Sequence, residues 1–319
     1  MEQSPIHKIF YKNNFIYVKR DDLLPFSFGG NKVRIAKEFL DDMVMQGKNC
    51  MIGYGNARSN LSRALANICA SRQIECHIVS PADEDGTFVH TFNEQMSSIC
   101  NACFHYCSKD DVSNTLKNVI ECCEKKGLRP YYINGDIWGK GNEDVPVRAY
   151  FKVFPEIQSY EQNEKIVFDY IFLPVGTGMT QAGLLCGAIN ESDETPIIGI
   201  SIARNAEKEK DILRNYVSIF MQKNKISKSF DDSQIIVDDS YLCGGYGKYD
   251  ENVESIIDDV FVKFGIPLDA NYSGKAFYGM TDYLLSRKIS GKKILFLHTG
   301  GTALFFDMLA NRRNLLSGI

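Results

Sequence analysis

Tyr170-Ile171-Phe172-Leu173-Pro174-Val175 runs directly into Gly176-Thr177-Gly178-Met179-Thr180-Gln181-Ala182-Gly183. The first six residues are a continuous apolar run of strand length, and two glycines then precede a helix-like segment. A fully buried strand, a glycine turn and a helix make the repeating unit of a parallel-sheet α/β protein. Similar strand-like runs recur at Phe15–Lys19, Cys50–Gly53, Glu75–Val79, Phe104–Tyr106, Tyr131–Ile133, Ile197–Ile200 and Ile294–His298. Helical spacing lies between them: Val33, Ala36, Leu40 and Met43 step by three, four and three, and Leu61, Leu65 and Ile68 repeat the pattern. The fold class read from this alternation is α/β, with open, mostly parallel sheets. Polar Gln158–Lys165 marks a crossing point. It predicts a large domain of residues 1–48 plus 159–319 and a small inserted domain of residues 49–158. The polar, charged stretch Glu207–Asp232 reads as helix and loop.

The chain has 319 residues, 44% hydrophobic and 24% charged, which suits two globular domains with a sizeable core. A formal net charge of -4 and the lack of a basic run argue against nucleic acid or an acidic membrane as partner. Met1-Glu2-Gln3-Ser4-Pro5 lacks the charged and apolar regions of a signal peptide, and no apolar run is long enough to span a bilayer. A cytoplasmic location is therefore expected. Of the ten cysteines, Cys100, Cys103 and Cys107 with His105 hint at zinc, but no second pair follows at a four-ligand spacing. Free thiols and no metal are expected, and neighbouring Cys122 and Cys123 point in different directions on a helix.

In open α/β sheets, ligands sit beyond the carboxyl ends of strands. Four such loops carry unusual residues. The first pairs Lys19-Arg20-Asp21-Asp22-Leu23 with Phe28-Gly29-Gly30-Asn31-Lys32-Val33-Arg34, which places Lys32 in the first turn of a helix. Partial positive charge there favours the neutral amine that Schiff-base chemistry needs; the alternative is a solvated lysine after a glycine turn. The second is Gly53-Tyr54-Gly55-Asn56-Ala57-Arg58-Ser59-Asn60, whose Ser59 or Asn60 either caps the next helix or grips a carboxylate or ring hydroxyl. The third is the opening glycine turn, which can cradle a phosphate or be a plain turn capped by Thr180. It lacks the Gly-Lys-Ser/Thr ending of Walker A, and no acid ends the next strand to hold a ribose, so a small phosphorylated cofactor fits better than a nucleotide. The fourth is His298-Thr299-Gly300-Gly301-Thr302, considered together with Leu268-Asp269-Ala270-Asn271-Tyr272-Ser273-Gly274-Lys275-Ala276.

The order of these elements, from Lys19 to Gly301, resembles the D-cysteine desulfhydrase and 1-aminocyclopropane-1-carboxylate deaminase family. The resemblance implies fold type II among pyridoxal 5′-phosphate enzymes, with two three-layer αβα domains, and it implies pyridoxal 5′-phosphate as cofactor. Carried over by position, Lys32 resembles the Schiff-base lysine that also moves the α-proton. Gly176, Thr177, Gly178, Met179 and Thr180 resemble the phosphate cradle. Asn60 resembles the partner of the ring hydroxyl, and Ser59 the serine near the substrate carboxylate. Tyr272 resembles the active-site tyrosine. Tyr241, in Tyr241-Leu242-Cys243-Gly244-Gly245-Tyr246-Gly247, is aligned with a second family tyrosine. Thr299, a cofactor-binding position, and Ser273 stand where the family's desulfhydrases have threonine and its deaminases leucine and glutamate, respectively. A hydroxyl facing the pyridine nitrogen leaves it largely unprotonated, and a weaker electron sink suits prompt β-elimination.

Asn56 and Arg58 depart from the family pattern, as does Gly135-Asp136-Ile137-Trp138-Gly139-Lys140-Gly141-Asn142. Arg58 either reads an extra acidic group on the substrate or points to solvent. The expected activity is β-elimination from a small amino acid, D-cysteine desulfhydrase-like, by a homodimer. The alternatives are β-replacement, racemisation, a non-catalytic phosphate-ligand sensor and a nucleotide-binding protein.

Overall fold

The computed structural model describes residues 3–83 and 86–317; the Met1-Glu2 start, Glu84, Asp85, Gly318 and Ile319 lie outside them. Along the chain come β1 (Ile6–Tyr11), β2 (Asn14–Arg20), α1 (Asn31–Met45), β3 (Cys50–Tyr54), α2 (Asn60–Ala70), β4 (Glu75–Pro81), α3 (Phe92–Ile99), β5 (Cys103–Cys107), α4 (Val112–Lys125) and β6 (Pro130–Tyr132). They continue with α5 (Asp144–Phe151), α6 (Phe154–Glu164), β7 (Tyr170–Val175), α7 (Met179–Glu191), β8 (Ile197–Ser201), α8 (Ala206–Lys223), β9 (Ile236–Asp238), α9 (Glu251–Phe264), α10 (Ser273–Ser286), β10 (Lys293–His298) and α11 (Thr302–Ser317). No helix among the described residues is long and apolar enough to cross a membrane.

The chain divides into a large unit, residues 1–31 and 147–319, and a small unit, residues 32–146. The large unit holds a six-stranded sheet in the order β1-β2-β10-β7-β8-β9, parallel except for the β1–β2 pair. Its central strands are apolar on both faces, so they read in sequence as continuous runs. Phe172, Phe296, Ile198 and Ile294 are fully buried and share one cluster with Val253, Ile257 and Val260 of α9 and Phe277 and Met280 of α10. Burying each such side chain stabilises the fold by about 1.5–3 kcal/mol before entropy is counted. The small unit holds a parallel sheet in the order β5-β4-β3-β6.

The division departs from the expected boundaries at two places. Residues 32–48 belong to the small unit, where Tyr131 donates from its hydroxyl to Asp42 of α1 at 2.8 Å and Arg129 donates to the Gly47 carbonyl at 2.7 Å. Residues 147–158 belong to the large unit because α5 and α6 press on α7. A Cβ at Gly183 would lie 2.5 Å from that of Tyr150, and one at Gly187 would lie 2.4 Å from that of Phe154. Glycine at both positions is what lets these helices approach so closely. Strands β1 and β9 were not expected: β1 is a partly exposed edge whose adjacent His7 and Lys8 break the alternation of a strand, and β9 spans three residues.

Candidate active site

In the large unit, the strand-to-helix loops of β2, β7, β8 and β10 open at the carboxyl ends of adjacent parallel strands. The glycine turn after β7 forms as expected, and α7 starts at Met179. Its N-cap is Gly178, held at φ +77°, a conformation that a Cβ would strain. No side chain caps it, so the first-turn amides have no intrahelical acceptor and carry the positive end of the helix dipole. Thr180 is not the cap. Its Oγ1 accepts from Asn31 Nδ2 at 2.9 Å, which leaves its hydroxyl hydrogen as one more donor. Amide hydrogens, a hydroxyl and a glycine turn match the acceptor-rich surface of a phosphate.

Asn31 also ties the first loop to the fourth. Its amide donates to the Thr299 carbonyl at 3.0 Å, and the Gly30 amide donates to Asp21 at 2.7 Å. Gly30 and Gly300 meet backbone to backbone, since a Cβ at Gly300 would fall 2.6 Å from the Gly30 Cα. This contact explains why glycines stand in both loops, and it fixes where the chain enters α1 one residue before Lys32. Arg20 grips Asp22 through Nε at 2.8 Å and Nη2 at 2.7 Å, and Asp22 lies 3.6 Å from His298. The Lys-Arg-Asp-Asp run is thus buried scaffolding under the loops. Burial lowers the Lys32 ammonium to about 8, which leaves a useful neutral fraction near physiological pH.

Tyr272 and Tyr246 meet hydroxyl to hydroxyl at 2.8 Å. The Tyr272 ring also borders the glycine turn, 3.7 Å from where a Gly176 Cβ would stand. Tyr241 does not join them. It packs on Gly279 and Tyr278 in the core and donates to Asp282 at 2.8 Å, and burial and that carboxylate push its phenol up. The tyrosine whose hydroxyl meets that of Tyr272 is Tyr246. Its placement rests on Lys275, whose buried ammonium donates to the carbonyls of Leu242 and Gly245 at 2.8 Å and of Ile202 at 3.2 Å. Asn271 Oδ1 accepts from the Gly247 amide at 2.8 Å. The Tyr-x-Gly-Lys run thus holds the loop that carries Tyr246.

Ser273, where the resemblance sets a hydroxyl toward the pyridine nitrogen, is tied to Asp269. It donates to Asp269 Oδ2 at 2.7 Å and accepts from the Asp269 amide at 2.8 Å. Asp269 receives further donors from the amides of Asn271, Tyr272 and Ser273, so both oxygens are occupied; burial raises its carboxyl. Arg204, in the loop after β8, was also missed. It donates to the Gly176 carbonyl and lies 3.1 Å from buried Glu209, whose Oε1 has no hydrogen-bond partner. A fifth strand-to-helix loop therefore supports the glycine turn after β7.

In the small unit, Ser59 is the N-cap of α2, accepting from the Ser62 amide at 3.1 Å. Asn60 follows, and its Oδ1 accepts from Asn93 at 3.1 Å. That contact orients the amide, so its Nδ2 hydrogens are what it offers a ligand oxygen. Asn93 in turn is held by Arg63 at 2.8 Å. Arg58 is neither a spare cation nor a solvated one: it pairs with Asp83, which also accepts from Asn56 at 2.7 Å.

A family model described as pyridoxal-phosphate dependent enzyme matches residues 2–300. The D-cysteine desulfhydrase of Serratia proteamaculans is 26% identical over 312 residues, covering 95% of this chain and 92% of that protein. A crystal structure of an ACC deaminase homologue superposes with a TM-score of 0.82 at 27% identity, covering 98% of this chain and 94% of that one. A hydrogen sulfide-producing enzyme from Fusobacterium nucleatum shares the fold, with a TM-score of 0.64 at 18% identity over 94% of this chain and 96% of its own.

Proposed function

The chain belongs to the pyridoxal-phosphate dependent enzyme family, and from that premise we propose that it is a β-eliminating lyase of D-cysteine or a close analogue. The family gives it pyridoxal 5′-phosphate as cofactor and the fold type II architecture. The observation that carries the elimination reading is the corner at Asp269. A deaminase-like site would offer a carboxylate at position 273; here that position is a serine bound to Asp269, whose oxygens are filled by four donors. No carboxylate is free there to hold a proton on the pyridine nitrogen, and Thr299 adds only a hydroxyl.

The cofactor, when bound, supplies an electron sink for charge developing at the substrate α-carbon. Lys32 is the residue that would carry it and, as a neutral amine, take the α-proton. The first-turn amides of α7 with Thr177 and Thr180 would hold its phosphate, and Asn60 its ring hydroxyl. Ser59 would meet the substrate carboxylate. Tyr272, polarised by Tyr246, would hold a proton for the leaving thiolate. The enamine product hydrolyses to a keto acid and ammonia. Arg58, paired with Asp83, offers no spare charge for an acidic side chain, which favours a small neutral substrate. The reading also takes the protein as a cytoplasmic homodimer, as the family resemblance implies. Sulfide, pyruvate and ammonia in equal amounts from D-cysteine, without added thiol, support it. Turnover only with an added nucleophile would replace elimination by β-replacement.

A further inference from the structure

A second group of chemistry-bearing side chains lies in the small unit, at the end of its sheet opposite Ser59 and Asn60. Cys50 and Glu75 are the first residues of β3 and β4 and stand opposite each other in register, and His77 follows on the same face. Cys123 comes from the last turns of α4. We propose that Cys50, Cys123, His77 and Glu75 form a zinc site that clamps β3, β4 and α4 together.

The geometry fits three corners of a tetrahedral site. Ligand atoms of Cys50, His77 and Cys123 all lie within 4.8 Å of one another. The two sulfurs are 3.7 Å apart, and zinc–sulfur bonds of about 2.3 Å at a tetrahedral angle set two thiolates about 3.8 Å apart. Glu75 stands outside that three-residue group, but its Oε1 is 3.0 Å from His77 Nε2, and a turn of its part-exposed side chain would bring a carboxylate to the fourth corner. The other ring nitrogen, Nδ1, is 2.9 Å from His105 Nε2, the outer hydrogen bond that fixes the orientation of a ligating imidazole. Cys50 and Cys123 are fully buried and His77 nearly so, whereas the Glu75 side chain is 39% exposed, so an ion reaches the thiols past Glu75. Two thiolates and one carboxylate exceed the charge of Zn²⁺ by one, and Lys126, 2.9 Å from Glu75, balances it. Binding releases the two thiol protons and changes no oxidation state.

Cys103 and His105 make a competing triad with His77, but it offers one thiol, and that thiol is exposed. Cys100 and Cys107, neighbours of Cys103 in the sequence, belong to neither group.

The test uses cofactor-loaded protein freed of metal by a chelator, then titrated with Co²⁺ and with Zn²⁺ against a chromophoric competitor. One equivalent of Co²⁺ should give the intense long-wavelength ligand-field bands of a tetrahedral thiolate site, outside the cofactor's absorption, and Zn²⁺ should displace it. Zinc should raise the thermal midpoint. Cys123→Ser should weaken binding by more than about 100-fold, beyond the 10–100-fold that an outer partner such as His105 is worth. Glu75→Gln, at the exposed corner, should weaken it by about tenfold without disturbing the fold, and Cys103→Ser should leave it unchanged. Weak octahedral cobalt spectra, or binding that Cys103→Ser abolishes and Cys123→Ser spares, would overturn the proposal.

Discussion

Replacing Lys275 with methionine keeps the length of the side chain and removes its ammonium. That ammonium donates to the Leu242 and Gly245 carbonyls at 2.8 Å and to Ile202 at 3.2 Å in a site closed to water. Hydrogen bonds from a charged donor contribute about 1.5–3 kcal/mol each, and the two short ones dominate. Burial lowers the lysine's pKa, so part of that gain offsets desolvation of the ammonium. The expected net loss is about 2–4 kcal/mol in urea unfolding of the cofactor-loaded protein, with an unchanged m-value. The loss should be accompanied by a fall in kcat, because the Leu242–Gly245 loop leads directly to Tyr246 and hence to Tyr272. A stability change under about 1 kcal/mol, or a full loss of stability with normal kcat, would refute the claim that Lys275 positions that loop.

Tyr246→Phe should lower kcat by about tenfold to a hundredfold with little change in stability, whereas Tyr241→Phe should cost about 1–2 kcal/mol of stability by stranding Asp282 and leave kcat intact. Stopped-flow and urea titration of both separate the two roles. Asn93→Ala frees the Asn60 amide and should weaken cofactor affinity by about tenfold, read by equilibrium dialysis; unchanged affinity would detach Asn60 from the ring hydroxyl. Lys32 titrates near 8 in the folded chain, below its unfolded value, so the unfolded chain holds more protons between the two values. Stability of the cofactor-free protein should therefore rise with pH from about 8 toward 10, and Lys32→Met should flatten that rise. Gly187→Val should destabilise by more than about 3 kcal/mol, because its Cβ would stand 2.4 Å from that of Phe154.

The central strands were legible because a parallel strand buried on both faces must be apolar throughout; Tyr170–Val175 is recovered to the residue. β1 escaped because its His7 and Lys8 face outward on an edge, and β9 because three residues carry no period. The loops were legible through their glycines: Gly29, Gly30, Gly178, Gly300 and Gly301 answer a positive φ, whereas Gly176 faces the side chains of Ile202 and Tyr272. What the one-dimensional pattern hid was convergence. Tyr241 and Tyr246 sit in one loop, and only Lys275 and Asn271, from another element, decide which one meets Tyr272. The tie of the Ser273 hydroxyl to Asp269 is likewise invisible in spacing alone. The CxxC run drew attention to Cys100 and Cys103, while strand register and a helix bring together Cys50, His77 and Cys123, which lie as far as 73 residues apart.

The most direct test of the central claim is the visible spectrum of the purified protein and of Lys32→Ala, each titrated with D-cysteine while keto acid and sulfide are measured. The wild type should be yellow, shift its spectrum on adding D-cysteine, and release pyruvate and sulfide together. Lys32→Ala should lack the lysine-bound absorption and release neither. A colourless wild type that pyridoxal phosphate does not reconstitute, or a Lys32→Ala spectrum identical to the wild type, would contradict the account.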